Sequence, residues 1–396
     1  MDSNPKHLQK QEDFDIIIAG AGCAGLSLLY SVLNSPVLKK YKILVIDKSF
    51  KKSNDRTWCY WEMGNGIFES LVCKKWDRIA IHKNQFSRAL DTAPYEYKMI
   101  QGIDFYNHII QFAKQFSNVI WEEVSVTSID ANSDEAIVKW EGGHAKSKYV
   151  FSSILPIDTL YALSQSSISK PFLWQHFKGL LVEFDTNVFY PSEARLMDFN
   201  VDQKEATAFM YLLPLNASKA LVEYTLFSKT ILKPHEYDQI LKQYLETNFP
   251  SKTYQIIHEE LGAIPMTTQP FAKSNSPIYV IGTLGNAVKP STGYAFHFIQ
   301  KQVLEIVHHL ENGSEPNTEV HNTRHQFYDE VLIYILYHNL MEGSEIFKRI
   351  FEKNNAATIF KFLSNTSTLW EDIQIMKSLP TKIFLPAAIK VLARRS

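Results

Sequence analysis

The feature that most constrains this chain is a glycine-rich turn between an apolar strand and an apolar helix. Residues 14–26 read FDIIIAGAGCAGL, so a buried strand runs directly into Gly20-x-Gly22-x-x-Gly25. In this pattern the first glycine permits a tight turn, the second lets the backbone approach a pyrophosphate, and the third lets the helix pack on the strand. The helix N-terminus adds free N–H donors and a positive dipole end. We therefore predict a dinucleotide-binding domain.

A second apolar strand supports this prediction. Residues 42–46, KILVI, are followed by Asp47, whose carboxylate is placed to bind a ribose hydroxyl. The alternative is a strand-to-helix turn that holds no ligand. A disulfide reductase would need a second strand–glycine–helix fingerprint and a Cys-x-x-Cys pair, and the chain has neither, since Cys23, Cys59 and Cys73 are widely separated. Three scattered cysteines also suit a reducing compartment.

A distant segment favours FAD over NAD, because the longer FAD needs contacts from separate parts of the chain. Residues 278–281, IYVI, form an apolar strand that ends at Gly282, and the stretch PSTG at 290–293 then opens an apolar helix to about Leu310. Its N-terminus is expected where a flavin ring would lie. We infer FAD, with NAD and an ordinary strand–loop–helix connection as alternatives. The residues assigned to the cofactor are Gly20, Gly22, Ala24, Gly25, Asp47, Arg56, Gly282, Gly285, Pro290, Thr292 and Gly293.

Composition limits the classes of partner. The 396 residues suit about two domains, and the formal net charge of −1 gives no overall attraction to nucleic acid. The 25 Phe and 19 Tyr either fill a core or line a tunnel for a long apolar ligand. The first thirteen residues are too polar for a signal peptide, and no run reaches the roughly 18 apolar residues of a membrane span. We expect a cytoplasmic protein.

The remaining patterns predict an α/β fold with an inserted antiparallel sheet. A helix is predicted over 104–116, followed by strands at 119–126, 136–141 and 145–154. Four further strands are predicted at 179–184, 194–200, 207–213 and 219–227, then a helix at 233–249 and a wholly helical C-terminus with breaks at Pro380 and Pro386. The expected domains are an FAD-binding domain (13–60, 98–165 and 276–312), a substrate-binding antiparallel-sheet domain (61–97 and 170–270) and a C-terminal helical region (320–396).

Several segments, in order over roughly residues 13–300, resemble the FAD-dependent lycopene cyclases of carotenoid synthesis, in particular the bacterial lycopene β-cyclases. They are NDRTWCYW at 54–61, RLMDF at 195–199, FMYLLP at 209–214, ALVEYTLFS at 220–228, ELGAIPM at 260–266, GTLG at 282–285 and KPSTGY at 289–294. Two departures stand out: Thr283 follows Gly282 where flavin hydroxylases usually carry Asp, and the strand VFSSIL at 150–155 lacks an acidic or glycine-rich ending.

The resemblance implies an FAD-binding Rossmann-type fold of the flavin hydroxylase/glutathione reductase type. It also implies closure of β-ionone rings on lycopene, giving γ-carotene and β-carotene. The reaction would depend on reduced FAD but have no net redox change, and NAD(P)H would serve only as an indirect electron source. Two other functions stay open, an FAD-dependent monooxygenase or isoprenoid-chain reductase, and a non-catalytic isoprenoid-binding chaperone of the same fold.

Ring closure requires an acid strong enough to protonate an alkene, so a carboxyl group must be kept un-ionised in a dry pocket. Glu223 is the candidate, because it lies mid-strand on the same face as Leu221 and Thr225 and its Val-Glu-x-Thr setting matches the acidic motif of the family. The pattern alone would also suit a solvated strand glutamate. Asp198 and Glu260 are further acid or base candidates, each with an alternative as a buried structural carboxylate.

Aromatic residues could stabilise the cationic intermediate. We assign this substrate-binding role to Trp58, Tyr60 and Trp61, which otherwise serve as packing anchors in a loop. Asp55 and Arg56 are expected near the cofactor, with a surface ion pair as the alternative. No metal site is expected, because His321 and His325 lack an acidic third ligand nearby.

Lycopene is insoluble in water, so an enzyme that acts on it must take it from a bilayer. Residues 377–396 carry five basic and no acidic residues among apolar ones. Such a segment can lie on an anionic membrane surface, and we expect peripheral attachment to the inner face of the cell membrane. The alternative is a terminal helix docked on the core with its lysines in solvent.

Overall fold

The glycine-rich turn lies at the edge of a seven-stranded sheet. The computed structural model describes residues 12–132, 134–155, 158, 160, 161, 164 and 170–395. The strands of this first sheet are β1 (Glu12–Ala19), β2 (Ile43–Asp47), β8 (Val119–Glu123), β9 (Val126–Ala131), β10 (Ala136–Trp140), β11 (Gly143–Ser152) and β17 (Ile278–Val280). Their order is β8-β2-β1-β11-β10-β9, and β11 also pairs with β17. Strands β8, β2, β1, β11 and β17 are parallel, whereas β9 and β10 form an antiparallel meander.

Three helices cover one face of this sheet. They are α1 (Cys23–Asn34), α2 (Gly102–Ala113) and α4 (Phe296–Glu311), and their apolar residues share one buried cluster with strands β1 and β2. The opposite face packs on the meander, where Val138 and Trp140 bury Ile17 and Leu44. The strand predicted over 119–126 is two strands, because β8 joins the parallel part of the sheet and β9 turns away into the meander.

A second, largely antiparallel sheet forms the wall opposite the glycine turn. Its strands are β5 (Arg78–Lys83), β6 (Phe86–Asp91), β12 (Leu173–Phe184), β13 (Glu193–Asp198), β14 (Thr207–Pro214), β15 (Lys219–Ser228) and β16 (Tyr254–Met266). Their order is β16-β12-β15-β14-β13-β5-β6, and helix α3 (Pro234–Asn248) packs on one face. Sequence patterns missed β16, because its alternation of exposed and half-buried residues includes Gly262 and Pro265, which are rare in strands.

A third sheet joins the two larger ones. It contains β3 (Thr57–Glu62), β4 (Val72–Trp76) and β7 (Glu96–Gln101), with β7 in the middle. The loop predicted for Trp58–Trp61 is therefore wrong. The run TWCYW is β-branched and aromatic, and each of its residues pairs with β7.

The C-terminal region is helical, as predicted. Its helices are α5 (Thr323–Tyr337), α6 (Gly343–Lys353), α7 (Ala356–Leu363), α8 (Leu369–Lys377) and α9 (Thr381–Ala393). The chain breaks at Pro380, but the break predicted at Pro386 is wrong, since α9 continues through it. Pro386 and Lys382 are both exposed, so water can hydrate the carbonyl that loses its helical donor. In the described part of the chain, no helix is both long and apolar enough to cross a bilayer.

Candidate active site

A cavity of about 410 Å³ extends from the glycine turn to the second sheet. At one end it is lined by Gly22, and at the other by Glu223 and Glu260. Arg56, Trp58 and Gly293, three more residues predicted to bind cofactor or substrate, also line it. Strand residues of the second and third sheets thus meet the turns that follow strands of the first sheet at one space, whose volume suits an organic ligand.

The three glycines of the first turn have the geometry that the motif predicts. Gly20 has φ of +103°, which favours glycine. A Cβ on Gly25 would lie 1.9 Å from the Gly20 carbonyl oxygen, so helix and strand approach too closely for any side chain. A Cβ on Gly22 would meet nothing within 4 Å. Packing within the protein therefore does not require glycine at position 22. The open space beside Gly22 adjoins the cavity.

The N-terminus of α1 is free to receive an anion. Gly22 is its N-cap, no side chain caps the helix, and its first turn contains no acidic residue. Backbone N–H donors and the helix dipole therefore face the open space. Asp47 lies beside this turn, where its Oδ2 accepts a hydrogen bond from the Ala21 N–H at 2.6 Å.

The PSTG segment forms part of the opposite wall. Gly282 approaches α1 so closely that a Cβ would lie 2.8 Å from the Cβ of Ala24, which links the two predicted halves of the cofactor site. Gly293 lines the cavity, and a Cβ there would overlap the Gln175 Oε1. Pro290 and Thr292 are buried beside it, outside the cavity lining, and Gly285 packs on the Val280 carbonyl.

Several buried polar atoms near this loop have no hydrogen-bond partner among the described residues. They include the Gln175 Oε1, the Thr292 Oγ1 and the Tyr294 hydroxyl. Buried polar groups are nearly always satisfied, so such atoms call for a polar ligand or water. Together with the open helix N-terminus, they fit a cofactor that carries both phosphates and a polar ring system.

The two carboxyl groups belong to a row of residues that crosses four strands. Tyr211 on β14 lies directly opposite Glu223 on β15. Glu223 lies opposite Gly179 on β12, and Gly179 lies opposite Glu260 on β16. Residues opposite each other in a sheet project from the same face. The Tyr211 hydroxyl, the Glu223 carboxyl group, Gly179 and the Glu260 carboxyl group therefore form one row along the cavity wall.

The carboxyl groups of Glu223 and Glu260 are in hydrogen-bonding contact, which requires one of them to carry a proton. Burial, and next the charge of Glu260, raise the pKa of Glu223 well above its ordinary value. Burial also raises the pKa of Glu260, but contacts with Thr57, Arg56 and Glu223 oppose that rise. Glu223 is therefore the member of the pair that holds the proton.

Arg56 supports the ionised member of the pair. Its Nη1 donates to the Leu261 carbonyl at 3.1 Å, which places the guanidinium next to Glu260 on β16. The neighbouring Asp55 pairs instead with Lys51 at 2.7 Å and accepts from the Tyr106 hydroxyl at 2.9 Å. The alternative of an Arg56–Asp55 surface ion pair is not the arrangement in the structure.

Asp198 lies apart from the other two predicted acids. It is buried on β13, outside the cavity lining, where its Oδ2 accepts hydrogen bonds from the Tyr244 hydroxyl at 2.9 Å and the Arg195 Nη1 at 3.0 Å. Its Oδ1 accepts from the Asn200 N–H at 3.1 Å. These contacts match the alternative interpretation, a buried structural carboxylate.

The three predicted aromatic residues have different positions. Trp58 lines the cavity. Tyr60 stacks on Phe296, with ring centroids 4.6 Å apart, and Trp61 stacks on Phe360 at 4.7 Å while its indole N–H donates to the Ser364 Oγ. Neither of these two side chains lines the main cavity.

Sequence reasoning missed four aromatic residues that line the cavity beside Glu223: Tyr97, Phe177, Tyr211 and Tyr294. Burial raises the pKa of Tyr294 to about 12, so its hydroxyl stays protonated. The position of Tyr211 depends on the register between β14 and β15, and that of Tyr97 on the pairing of β7 with β3. Neither pairing can be read from a single segment.

His321 and His325, the two histidines considered as metal ligands, form hydrogen bonds within the protein. The ring Nε2 of His321 hydrogen-bonds with the Asn286 carbonyl, and that of His325 with the Ser367 hydroxyl. Over the described ranges, no group of three residues could hold a metal ion.

Residues 15–388 match the family model described as lycopene cyclase protein. The chain belongs to the lycopene cyclase family. A lycopene beta-cyclase of Pantoea ananas is 26% identical over 299 residues, which cover 72% of both chains. A chloroplastic neoxanthin synthase of Solanum tuberosum is 24% identical over 300 residues, which cover 71% of this chain and 57% of the synthase.

Solved structures confirm the predicted fold class of this family member. A flavoprotein/dehydrogenase from Cytophaga hutchinsonii has a TM-score of 0.60 at 12% identity, covering 97% of this chain and 100% of that one. The p-nitrophenol 4-monooxygenase PnpA of Pseudomonas putida has a TM-score of 0.58 at 11% identity, covering 98% and 99%. The lycopene cyclase chain thus has the α/β fold of flavoprotein monooxygenases, with an additional sheet and C-terminal helices.

Proposed function

We propose that this chain is an FAD-dependent lycopene β-cyclase in which Glu223 is the acid. The observation that carries the proposal is the contact between Glu223 and Glu260 in a cavity that also reaches the glycine turn. Family membership supports a carotenoid substrate. The buried carboxyl pair supplies what an alkene, a very weak base, needs: an acid kept un-ionised at neutral pH.

The reaction needs one proton donor and one proton acceptor. The Glu223 proton forms a C–H bond with the terminal alkene, and the neighbouring double bond captures the resulting tertiary cation to close the ring. Transfer of a proton from a carbon beside the new cationic centre to an ionised carboxylate of the pair then forms the ring double bond. One proton enters and one leaves, so no electrons are transferred. Glu260, the pair's more readily ionised member, balances the positive charge during these steps.

Aromatic rings line the path of the cation. Trp58, Tyr97 and Tyr211 border the same cavity as Glu223, and their ring faces attract positive charge. These side chains are also too weakly nucleophilic to trap the cation, since burial keeps the tyrosine hydroxyls protonated. We assign the role in cation stabilisation to this set. Tyr60 and Trp61 instead support the wall from behind.

FAD fits the residues present. The N–H groups that follow Gly22 would hold the pyrophosphate, Asp47 the ribose, and Gly293 with Gln175 would face the flavin ring. Bound in its reduced form, FAD would supply negative charge beside the carboxyl pair. NAD(P)H would act only as an indirect source of electrons for that reduction.

Peripheral membrane attachment would bring the enzyme to its substrate. Helix α9 docks on the core through Ala387 and Val391, and its other side exposes Leu385, Ile389 and Leu392 by more than half. Lys382 and Lys390 lie on the same helix. An exposed apolar face with basic residues suits the inner face of the cell membrane. Lys382→Glu with Lys390→Glu should weaken binding to anionic liposomes, and unchanged binding would argue against this surface.

Cells that accumulate lycopene provide the test. Expression of this chain should convert the red pigment into one-ring and two-ring orange-yellow products, separated by chromatography. Glu223→Gln should abolish conversion, by at least the ~100-fold that a general acid contributes, while the purified protein keeps its flavin absorbance. Asp198→Asn is the matched control at a buried acid outside the cavity and should retain product formation per folded molecule.

Other outcomes would identify the alternatives. Consumption of one hydride per product would indicate a reductase, and oxygen incorporation would indicate a monooxygenase. Binding of isoprenoid without flavin or product would indicate a chaperone. A Glu223→Gln variant with normal turnover would remove Glu223 from the mechanism.

A further inference from the structure

A second cavity, of about 270 Å³, lies among the C-terminal helices α5, α6, α8 and α9. None of its lining residues lines the first cavity. Most of its wall is apolar, and the aliphatic part includes Val331, Leu332, Ile346, Ile350, Ile375 and Leu379. An apolar space of this size inside a helical layer suits an apolar ligand rather than water.

Three polar groups at its floor contact each other through one oxygen of Asp329, whereas the buried Oδ2 of Asp329 has no hydrogen-bond partner among the described residues. The Ser291 hydroxyl donates to Asp329 Oδ1 at 2.6 Å, and the Lys289 Nζ lies 2.9 Å from the same oxygen. Lys289 is fully buried and also donates to the Asn365 Oδ1 at 2.6 Å. A carboxylate or phosphate entering the cavity would find no free cation, and it would meet the negative charge of Asp329. The floor therefore excludes anionic head groups.

The mouth of the cavity opens on the exposed apolar face of α8 and α9. Met376 and Leu385 line the cavity and are themselves 39% and 56% exposed. Around them lie further exposed apolar side chains, those of Leu369, Trp370, Ile373, Ile389 and Leu392. Lys377 and Lys382 flank the connection between the two helices. This combination of exposed hydrocarbon and positive charge is complementary to an anionic bilayer, so a chain entering here would come from the membrane.

We propose that this cavity binds the end of a linear isoprenoid hydrocarbon drawn from the bilayer. Its volume holds about nine groups the size of a water molecule, at ~30 Å³ each, so it takes the tip of a long chain rather than the whole molecule. The apolar wall, the lack of a free cation at the floor and the apolar mouth favour a hydrocarbon chain. Only the choice of an isoprenoid over a lipid acyl chain rests on the proposed function.

Diphenylhexatriene, an uncharged polyene that fluoresces in apolar surroundings, is the probe. Ala388 lines the cavity, so Ala388→Trp should fill it and weaken probe binding to the full-length protein at least tenfold. Glu352→Trp places the same side chain on the exposed side of α6, outside the lining, and should bind the probe as the native chain does. Leu332→Trp fills the cavity from α5 and should weaken probe binding as Ala388→Trp does. Loss of binding in both variants would show that misfolding of α9 is not the cause.

Competition identifies the occupant. Squalene should displace the probe fraction that Ala388→Trp abolishes, whereas a phosphatidylcholine with C16 chains should not. Displacement by the phospholipid alone would overturn the isoprenoid assignment, and full probe binding in both Trp variants would overturn the site. Glu223→Gln should still bind the probe and release it to squalene. The experiment therefore distinguishes a failure of the proposed cyclisation from a failure of probe binding in this cavity.

Discussion

Glu223 and Glu260 meet across Gly179, although the strands that carry them are not neighbours. Strand β12 runs between β15 and β16, and at the row of the two acids its residue is glycine. A Cβ at position 179 would lie 3.0 Å from Glu260 Cγ and 3.2 Å from Leu221 Cδ1. The missing side chain therefore leaves the space in which the two carboxyl groups come into contact.

Gly179→Ala should separate the two acids. Because the charge of Glu260 helps to raise the pKa of Glu223, a larger distance should shift the alkaline limb of the pH–activity profile to lower pH. We expect turnover at neutral pH to fall about tenfold, at the lower end of general acid effects. When Glu260 is already replaced by Gln, Gly179→Ala should change the pH–activity profile little. A double-mutant cycle of the two substitutions measures this coupling. Additive losses would contradict the coupling.

Glu260→Gln tests the same coupling from the other side. The substitution removes a negative neighbour, so the pKa of Glu223 should fall and activity should be lost at a lower pH than in the native enzyme. Glu259→Gln is the matched control, since Glu259 is the next residue on β16 and pairs with Lys178 at the surface, at 2.8 Å. Identical pH profiles for Glu260→Gln and the native enzyme would exclude Glu260 from the pair.

Stability should depend on pH through Glu223. Its pKa is raised in the folded state, so above its ordinary value of 4.5 the folded chain keeps a proton that the unfolded chain releases. The free energy of unfolding then falls as pH rises, by up to about 1.4 kcal/mol per unit, until the folded group ionises. Glu223→Gln removes this loss. Its melting temperature relative to the native chain should rise as pH increases above 4.5, and a constant difference would contradict an un-ionised Glu223.

Gly22→Ala should separate folding from dinucleotide binding. The added Cβ meets no protein atom within 4 Å, so the melting temperature of the flavin-free protein should stay within about 2 °C of native. The same Cβ would occupy the space into which the pyrophosphate would fit, so flavin content should fall. Gly25→Ala should instead destabilise the fold itself, because its Cβ would overlap the Gly20 carbonyl. Normal flavin content in Gly22→Ala would show that the phosphate site does not adjoin Gly22.

Asp198→Asn should affect stability and leave the chemistry unchanged. The buried carboxylate accepts from Tyr244 and Arg195, and a neutral amide satisfies both less well. A loss of about 1–3 kcal/mol is expected from buried hydrogen bonds of this kind. Thermal unfolding measures that loss, and product formed per folded molecule measures the chemistry. A turnover loss as large as that of Glu223→Gln would place Asp198 in the mechanism.

Local patterns were sufficient where a structure depends on neighbouring residues. The glycine turn, the parallel strands β1 and β2, helix α4 and the helical C-terminus each follow from periodicity and turn chemistry within some twenty residues. The acidic character of the site was also visible, since Glu223 and Glu260 each lie in a short segment that resembles the family.

Residue types alone predicted the wrong secondary structure where pairing with a distant strand determines it. The run TWCYW was interpreted as a loop, but pairing with β7 makes it a strand, and of its three aromatic residues only Trp58 lines the cavity. The edge strand β16 was missed for a related reason. Its hydrogen bonds go to β12, about 80 positions earlier in the chain, and its own residues form no continuous apolar pattern.

The sequence by itself determined a nucleotide-type turn, a mixed α/β fold and three candidate acids. Only the tertiary structure decided which acids form a pair. Glu223 and Glu260 meet through register across β12, whereas Asp198, which looked equivalent, lies outside the cavity with Arg195 and Tyr244. The physical reason is that burial and the charge of a neighbour set a pKa, and both depend on residues that are distant in the chain.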